Sequence, residues 1–239
     1  MSQPITLITG VSRGIGEAVA VDLARRGHHV IGLARTKPEG FVGTFVSVDL
    51  ADAAALTAAL ADITATHQVL RLVNNAGVAQ VAPSDLATLD QFETMMAVNV
   101  RAVMQTMQAV IPAMRQAGFG RIVNIGSRAA MGKDGRLIYG ASKAAVLSMT
   151  RTMALEYAKF GITANCIAPG PIETAMIRLN YPEGSAPRAA LVGQVPAQRL
   201  GRPDEIAHAV SYFLDDAAGF TTGQVLYVCG GLSVGSVPV

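Results

Sequence analysis

The sequence predicts an α/β protein: one parallel sheet, doubly wound, with helices on both faces. Three observations carry that reading. Short apolar, β-branched runs alternate with helical patterns along nearly the whole chain. A glycine-rich turn, Gly10-Val-Ser-Arg-Gly14-Ile-Gly16, follows the first such run. A later run, Ile122-Val-Asn-Ile-Gly126, ends at Ser127, upstream of Tyr139-Gly-Ala-Ser-Lys143. Alternation of this kind means βαβ units, whose right-handed crossovers produce a parallel sheet.

The elements follow in order. Residues 5–9 form a first strand, and an amphipathic helix runs from the glycine turn to about Arg26, closed by Gly27. Residues 28–33 and 44–48 are strands two and three, the latter ending in Asp49. Asp52 caps an Ala/Leu-rich helix to about His67, since a carboxylate accepts the unpaired N–H groups of a first turn. Residues 69–73 are strand four, ending in Asn74-Asn75-Ala76-Gly77. A long helical segment spans about 89–117, with a kink expected at Pro112. Residues 122–125 are strand five, and a helix containing Tyr139 in its first turn runs to about Phe160. Residues 162–168 are strand six, stopped by Pro169-Gly170-Pro171. Residues 175–202, rich in Pro, Gly and Ala, read as an irregular lid. Pro203 opens a last helix to Leu214, where its missing N–H costs nothing, and residues 225–228 are strand seven.

Composition bounds the function. The chain has 239 residues, 51% of them hydrophobic, which suits one domain, 1–239, with a substantial core. Only 15% are charged and the net charge is +2, with no basic run beyond Arg25-Arg26, so nucleic-acid and membrane-surface roles lack support. Cys166 and Cys229 lie in apolar runs and read as buried free thiols. No residue set has metal-ligand spacing, and no metal is expected. The N-terminal residues, Met1-Ser-Gln-Pro-Ile, lack the pattern of a signal peptide, and no apolar run reaches the ~18 residues of a membrane span, so a cytoplasmic location is expected. The four histidines match no site, and Met95, Met96, Met104 and Met107 read as core.

Two stretches carry chemistry. Glycines joining a strand to a helix permit a tight turn and close approach to a pyrophosphate, which the helix N-terminus then faces. The spacing here is Gly-x-x-x-Gly-x-Gly, not the commonest dinucleotide fingerprint. In the second stretch, Tyr139 and Lys143 share one helix face. A free phenol, with a pKa of about 10, exchanges protons poorly at neutral pH. A nearby ammonium and the helix macrodipole both favour the tyrosinate. A serine hydroxyl beside them can hold a substrate oxygen while the phenol gives or takes its proton.

Thr9-Gly10-Val-Ser-Arg-Gly14-Ile-Gly16, Asn74-Asn-Ala-Gly77, Asn99, Ser127, Tyr139-x-x-x-Lys143 and Pro169-Gly170 occur together in register. In this the chain resembles the classical short-chain dehydrogenases/reductases, over about residues 5–231. The resemblance implies Tyr139 as general acid/base and Lys143 as the group that lowers its pKa and bonds the nicotinamide ribose. It implies Ser127 as holder of the substrate oxygen and Asn99 as part of a proton relay to solvent. For the cofactor it implies Gly10, Ser12, Arg13, Gly14, Ile15 and Gly16 at the phosphates and adenosine, and Asp49 and Leu50 beside the adenine. Asn75, Ala76 and Gly77 would pass beneath the adenosine ribose, and Pro169, Gly170, Ile172 and Thr174 would hold the nicotinamide. Structural alternatives stay open: Asn75 stabilising strand four, Asn99 satisfied within its helix, Asp49 capping a turn.

The resulting expectation is a single Rossmann-type domain, sheet order 3-2-1-4-5-6-7, transferring hydride between a nicotinamide and a small-molecule ketone/alcohol pair. Strand two ends in Gly32-Leu33-Ala34-Arg35-Thr36, with no acid to bind the ribose of NAD. Arg35, Arg13 and Thr36 suit a 2′-phosphate, so NADP(H) is expected, with NAD(H) second. The substrate pocket should be mostly apolar, drawn from residues 78–81, 129–131, 137 and 176–181. The main alternative is a 3-oxoacyl-[acyl-carrier-protein] reductase. Relatives of that type often carry arginines where this chain has Gly118 and Phe160, which weakens it. A non-catalytic dinucleotide sensor is a third reading, disfavoured because a pure binder needs no acid/base group. The interval from Ser127 to Tyr139 is one residue shorter than in many relatives. Apolar residues on several faces of the long helices, together with the family resemblance, imply a homotetramer.

Overall fold

The computed structural model describes residues 3–235; Met1, Ser2 and the last four residues of the C-terminal tail lie outside the described residues. Seven strands, β1 (Ile5–Thr9), β2 (His29–Ala34), β3 (Thr44–Ser47), β4 (Arg71–Asn74), β5 (Gly120–Ile125), β6 (Ile162–Pro169) and β7 (Val225–Val228), form one sheet of order β3-β2-β1-β4-β5-β6-β7. Every pairing is parallel. The eight helices among the described residues are α1 (Gly14–Arg25), α2 (Ala53–Thr66), α3 (Leu89–Met96), α4 (Ala102–Ala117), α5 (Leu137–Tyr157), α6 (Ala175–Asn180), α7 (Ala186–Gly193) and α8 (Pro203–Leu214).

Both sheet faces are covered, which is why the strands read as continuous apolar runs rather than alternating ones. Successive side chains still point to opposite faces. Leu7, Leu72 and Ile122 enter one core with Leu56, Val110 and Val146 from α2, α4 and α5. Their neighbours Ile8, Val73 and Val123 enter the other, with Val19 and Leu23 of α1 and Val210 and Phe213 of α8. The order reverses between β1 and β4, so the loops leaving the C-terminal ends of these strands diverge and open a crevice.

Within the first of these layers runs a chain of buried polar side chains. Thr106 Oγ1 donates to Asn74 Oδ1 at 2.7 Å, Asn74 Nδ2 to Asn124 Oδ1 at 2.9 Å, and Asn124 Nδ2 to Thr150 Oγ1 at 2.9 Å. Thr150 Oγ1 in turn donates a hydrogen bond to the Val146 carbonyl at 2.7 Å. This ladder joins α4, β4, β5 and α5 directly beneath the site, and each member satisfies the next, which makes burial tolerable.

Three expectations need correction. The helical segment 89–117 is not one run: a π-helical turn, Ala97–Arg101, divides it into α3 and α4, and Pro112 lies inside α4. Residues 175–202 are not wholly irregular, since two short helices, α6 and α7, occupy half of them; Ser185 caps α7 and Pro187 lies in its first turn. Strand four starts at Arg71 and ends at Asn74, so the asparagine that looked like the loop's first residue belongs to the sheet.

Candidate active site

The loops at the C-terminal ends of the strands enclose a cleft of about 580 Å³. Gly10, Ser12, Arg13, Gly14 and Ile15 border it from the β1–α1 turn, Arg35 from the end of β2, and Asp49 and Leu50 from beyond β3. Asn75, Ala76 and Gly77 border it from β4, Ser127 from β5, Tyr139 and Lys143 from α5, and Pro169, Gly170, Ile172 and Thr174 from β6. Gly16, Thr36 and Asn99 do not line it.

The first turn keeps three positions, Gly10, Gly14 and Gly16, free of side chains. Gly10 has φ +76°, in the left-handed region. A Cβ on Gly16 would stand 2.2 Å from the Gly10 carbonyl oxygen, so Gly16 serves helix–turn packing rather than direct lining. Asn75 Nδ2 donates to the Thr9 and Gly10 carbonyls at 2.9 and 3.0 Å, and Thr9 Oγ1 accepts from the Asn75 and Ala76 amides at 3.0 Å. Asn75 therefore clamps the turn as well as bordering the cleft. Ser12 Oγ donates to the Thr36 carbonyl at 2.9 Å, which ties the turn to the end of β2 and turns Thr36 into a support. Asp49 accepts from the Ala51 amide at 3.0 Å, so it both shapes a turn and forms part of the wall. No side chain caps the N-terminus of α1, and its first N–H groups stay available to an anion. Arg13 and Arg35 are exposed, and among the described residues neither has a carboxylate partner. A glycine-rich cradle, an uncapped helix end and two guanidiniums without a carboxylate partner among the described residues fit a dinucleotide carrying an additional phosphate.

At the other end of the cleft, Tyr139 is the third residue of α5, whose N-terminus also lacks a side-chain cap. Lys143, one turn on, is 4% exposed; its Nζ donates to the Ile125 carbonyl at 2.7 Å and stands 6.0 Å from the Tyr139 ring centroid. Ser127 leaves β5 in extended conformation, and its Oγ accepts from the Ala129 amide at 3.1 Å, which fixes the hydroxyl's position. Asn99 lies in the π-helical turn, fully buried. Its amide makes a two-way bond with the Val78 backbone, 2.9 Å each way, and donates at 3.0 Å to Ser142 Oγ, which donates to the Tyr139 carbonyl at 2.8 Å. Asn99 thus ties the β4 loop to the first turn of α5, with partners outside its own helix. The π-turn puts it there: the extra residue re-aims the side chain. Nearby Cys166 is an inert thiol, pushed up to about 11 by burial.

The expected apolar pocket holds only in part. Val78, Ala79, Ala129, Met176, Ile177 and Tyr181 line the cleft, with Leu191 of α7. Val81, Met131 and Leu137 are more than half or half exposed and lie outside it. Arg128, Lys133 and Arg136, which the sequence reading passed over, line it instead. Their signal was visible as three cations between the serine and the tyrosine, but whether a loop residue faces a cleft or solvent is set by the loop's path.

A family model described as enoyl-(acyl carrier protein) reductase matches residues 10–233. The 3-oxoacyl-[acyl-carrier-protein] reductase of Escherichia coli (strain K12) is 37% identical over 238 residues, 95% of this chain and 96% of the relative. The structure of a gluconate 5-dehydrogenase from Burkholderia cenocepacia J2315, in complex with NADP and tartrate, superposes with a TM-score of 0.90 at 32% identity, covering 98% of this chain and 97% of that one. The aldohexose dehydrogenase of Thermoplasma acidophilum gives 0.92 at 28% identity, covering 99% and 96%. The protein is an NAD(P)-dependent oxidoreductase acting on CH–OH groups, and it belongs to the short-chain dehydrogenase/reductase family.

Proposed function

We propose that the protein transfers hydride between NADP(H) and a ketone/secondary-alcohol pair, with Tyr139 as the general acid/base. The observation that carries this is the convergence of Tyr139, Lys143 and Ser127 at one end of the cleft, with Lys143 buried and held by the Ile125 carbonyl. NADP(H), when bound, supplies or accepts the hydride. Ser127 Oγ holds the substrate oxygen. Tyr139 gives that oxygen its proton in reduction and takes it back in oxidation. The Lys143 ammonium and the uncapped first turn of α5 favour the tyrosinate. Asn99 holds the β4 loop and α5 in register, which supports its place in the site, whether or not a relay passes through it. Residues 175–202 cover the cleft as a lid, with Glu173 paired to both Arg178 of α6 and Arg188 of α7, so the two short helices are tied to the end of β6. The whole chain, 1–239, is read as one domain.

The likeness to the Escherichia coli relative favours 3-oxoacyl-[acyl-carrier-protein] reduction as the second reading. Gly118 is a left-handed helix cap, and Phe160 is covered by Arg115 at 4.3 Å, so neither position offers the guanidinium expected of a carrier-protein grip. A sensor without chemistry would not need an acid/base group such as Tyr139 beside Ser127 in the cleft. Free cysteines suit a reducing compartment, consistent with the cytoplasm. We also read a homotetramer, because Leu89, Phe92 and Leu155 on α3 and α5 are exposed; light scattering should give four times the chain mass, and a monomer at micromolar concentration refutes it.

NADPH oxidation with aryl, cyclic and thioester ketones separates these readings. Tyr139→Phe should reduce turnover at least ~10²-fold while NADPH binding stays nearly intact, and near-wild-type turnover refutes the assignment.

A further inference from the structure

We propose that the substrate carries a carboxylate, held by Arg128, Lys133 and Arg136 at the end of the cleft beside Tyr139. The inference rests on the catalytic reading above and adds the chemical class of the substrate. It begins with the charge of the wall. Among the described residues, six cationic ones line the cleft (Arg13, Arg35, Arg128, Lys133, Arg136 and Lys143) against a single carboxylate, Asp49. That carboxylate lies beyond β3 and is engaged with the Ala51 amide. Arg13 and Arg35 stand at the first turn and the end of β2, where a dinucleotide's phosphates belong, and Lys143 is buried on the Ile125 carbonyl. The other three sit on the loop between β5 and α5. That loop leaves a strand two places from β1, about 10 Å away at ordinary strand spacing, so these cations are not needed for the cofactor's phosphates.

None of the three is spent on an ion pair among the described residues, although Arg136 lies over the Tyr139 ring. Among the described residues, no carboxylate lies within ion-pair distance of any of them, although Asp134 is adjacent in sequence. Like charges gathered without a counterion repel. Lys133 is exposed at the surface, yet partial desolvation in the cleft wall, and then Arg136 and Arg128, hold its ammonium below its ordinary range. An anion entering the cleft relieves this repulsion, and walls of low dielectric concentrate the attraction on it. The uncapped N-terminus of α5 adds to the same field.

Distance selects the kind of anion. The Arg136 guanidinium carbon lies 5.8 Å from the Tyr139 ring centroid. An anionic group on Arg136 is therefore within one small molecule's length of the carbonyl that Tyr139 protonates. A carboxylate a few carbons from the ketone fits that span. The phosphate of a pantetheine arm, many bonds from its thioester carbonyl, does not. Two guanidiniums also suit the planar fork of a carboxylate.

The test compares 2-oxo- to 5-oxoalkanoates with their methyl esters, and with acetoacetyl-CoA, in wild type, Arg136→Gln and Arg128→Gln. The best acid should exceed its ester in kcat/KM at least ~10-fold, as expected for one charge-assisted contact, and either substitution should cut that acid-to-ester ratio ~10-fold or more. Calorimetry of the best acid on NADP-saturated Tyr139→Phe reads binding without turnover and should weaken by the same factor when Arg136→Gln is added. Acids no better than esters, or a ratio that neither substitution moves, overturn the proposal. A preference confined to acetoacetyl-CoA overturns it in favour of a phosphate. If no ketone of any class is reduced, the catalytic reading falls. The calorimetric arm, run then with the 4-oxopentanoate probe, still decides whether carboxylates bind here, and absence of binding overturns this proposal separately.

Discussion

Replacing Arg35 with aspartate should move the enzyme from NADPH toward NADH. Arg35 stands at the end of β2, borders the cleft, is exposed, and has no carboxylate partner among the described residues. Arg13 lines the same end from the glycine turn. A hydrogen bond to a charged group is worth about 1.5–3 kcal/mol, and exposure places this one toward the lower figure. Losing the Arg35 contact should therefore cost NADPH roughly one decade in kcat/KM. An aspartate adds repulsion of a nearby phosphate charge. At 4 Å that is about 1 kcal/mol in bulk water and about 4 at an intermediate dielectric, or roughly one further decade at a wet site. The same carboxylate can accept hydrogen bonds from the free ribose of NADH, which should gain up to ~10-fold. The ratio of the two kcat/KM values should thus change by about 10²–10³, while Arg13, left in place, keeps NADPH from being lost altogether. The assay is initial-rate kinetics with both cofactors at fixed ketone, repeated at high salt, where the wild-type preference should shrink. A wild type that prefers NADH, or a ratio that Arg35→Asp leaves within about threefold, would refute the reasoning that a phosphate is read at this strand end.

Two further outcomes concern the frame. Asn124→Ala removes the central member of the buried polar ladder and strands the Asn74 amide, so it should destabilise by about 2–4 kcal/mol; urea unfolding of the cofactor-free protein at one concentration checks this, and a change below about 0.5 kcal/mol contradicts it. Glu205, bonded by Arg199 and by the Arg202 amide, is held well below the ordinary carboxylate range, at about 2. Its folded value is lower than its unfolded one, so its contribution is complete above about pH 4.5 and fades as pH falls toward 2. The Tm difference between wild type and Glu205→Gln should therefore narrow from pH 5 to pH 3, and a constant difference would count against the pairing. Arg199 is half exposed, so the effect should be modest.

Strand–helix alternation, the glycine turn, the Asp52 cap and the spacing of Tyr139 to Lys143 were all legible in the sequence. Each depends on residues close together in the chain: a period of two or 3.6, a left-handed glycine, a side chain reaching its own first turn. The strand order and the gathering of Ser127 with Tyr139 followed from the resemblance to the short-chain dehydrogenases/reductases, since right-handed crossovers alone leave more than one strand order open. What the chain alone could not reveal depends on contacts between distant segments. Asn124 looks like a polar interruption in an apolar strand until Asn74 and Thr150 arrive from β4 and α5 to satisfy it. Asn99 needed an unpatterned π-turn to meet Val78 and Ser142. Arg128, Lys133 and Arg136 read as ordinary loop charges, because the direction a loop side chain faces is decided by the path of the backbone between its anchors and by what packs against it. Only the folded loop, set beside the first turn of α5, turns those three charges into one wall of the site.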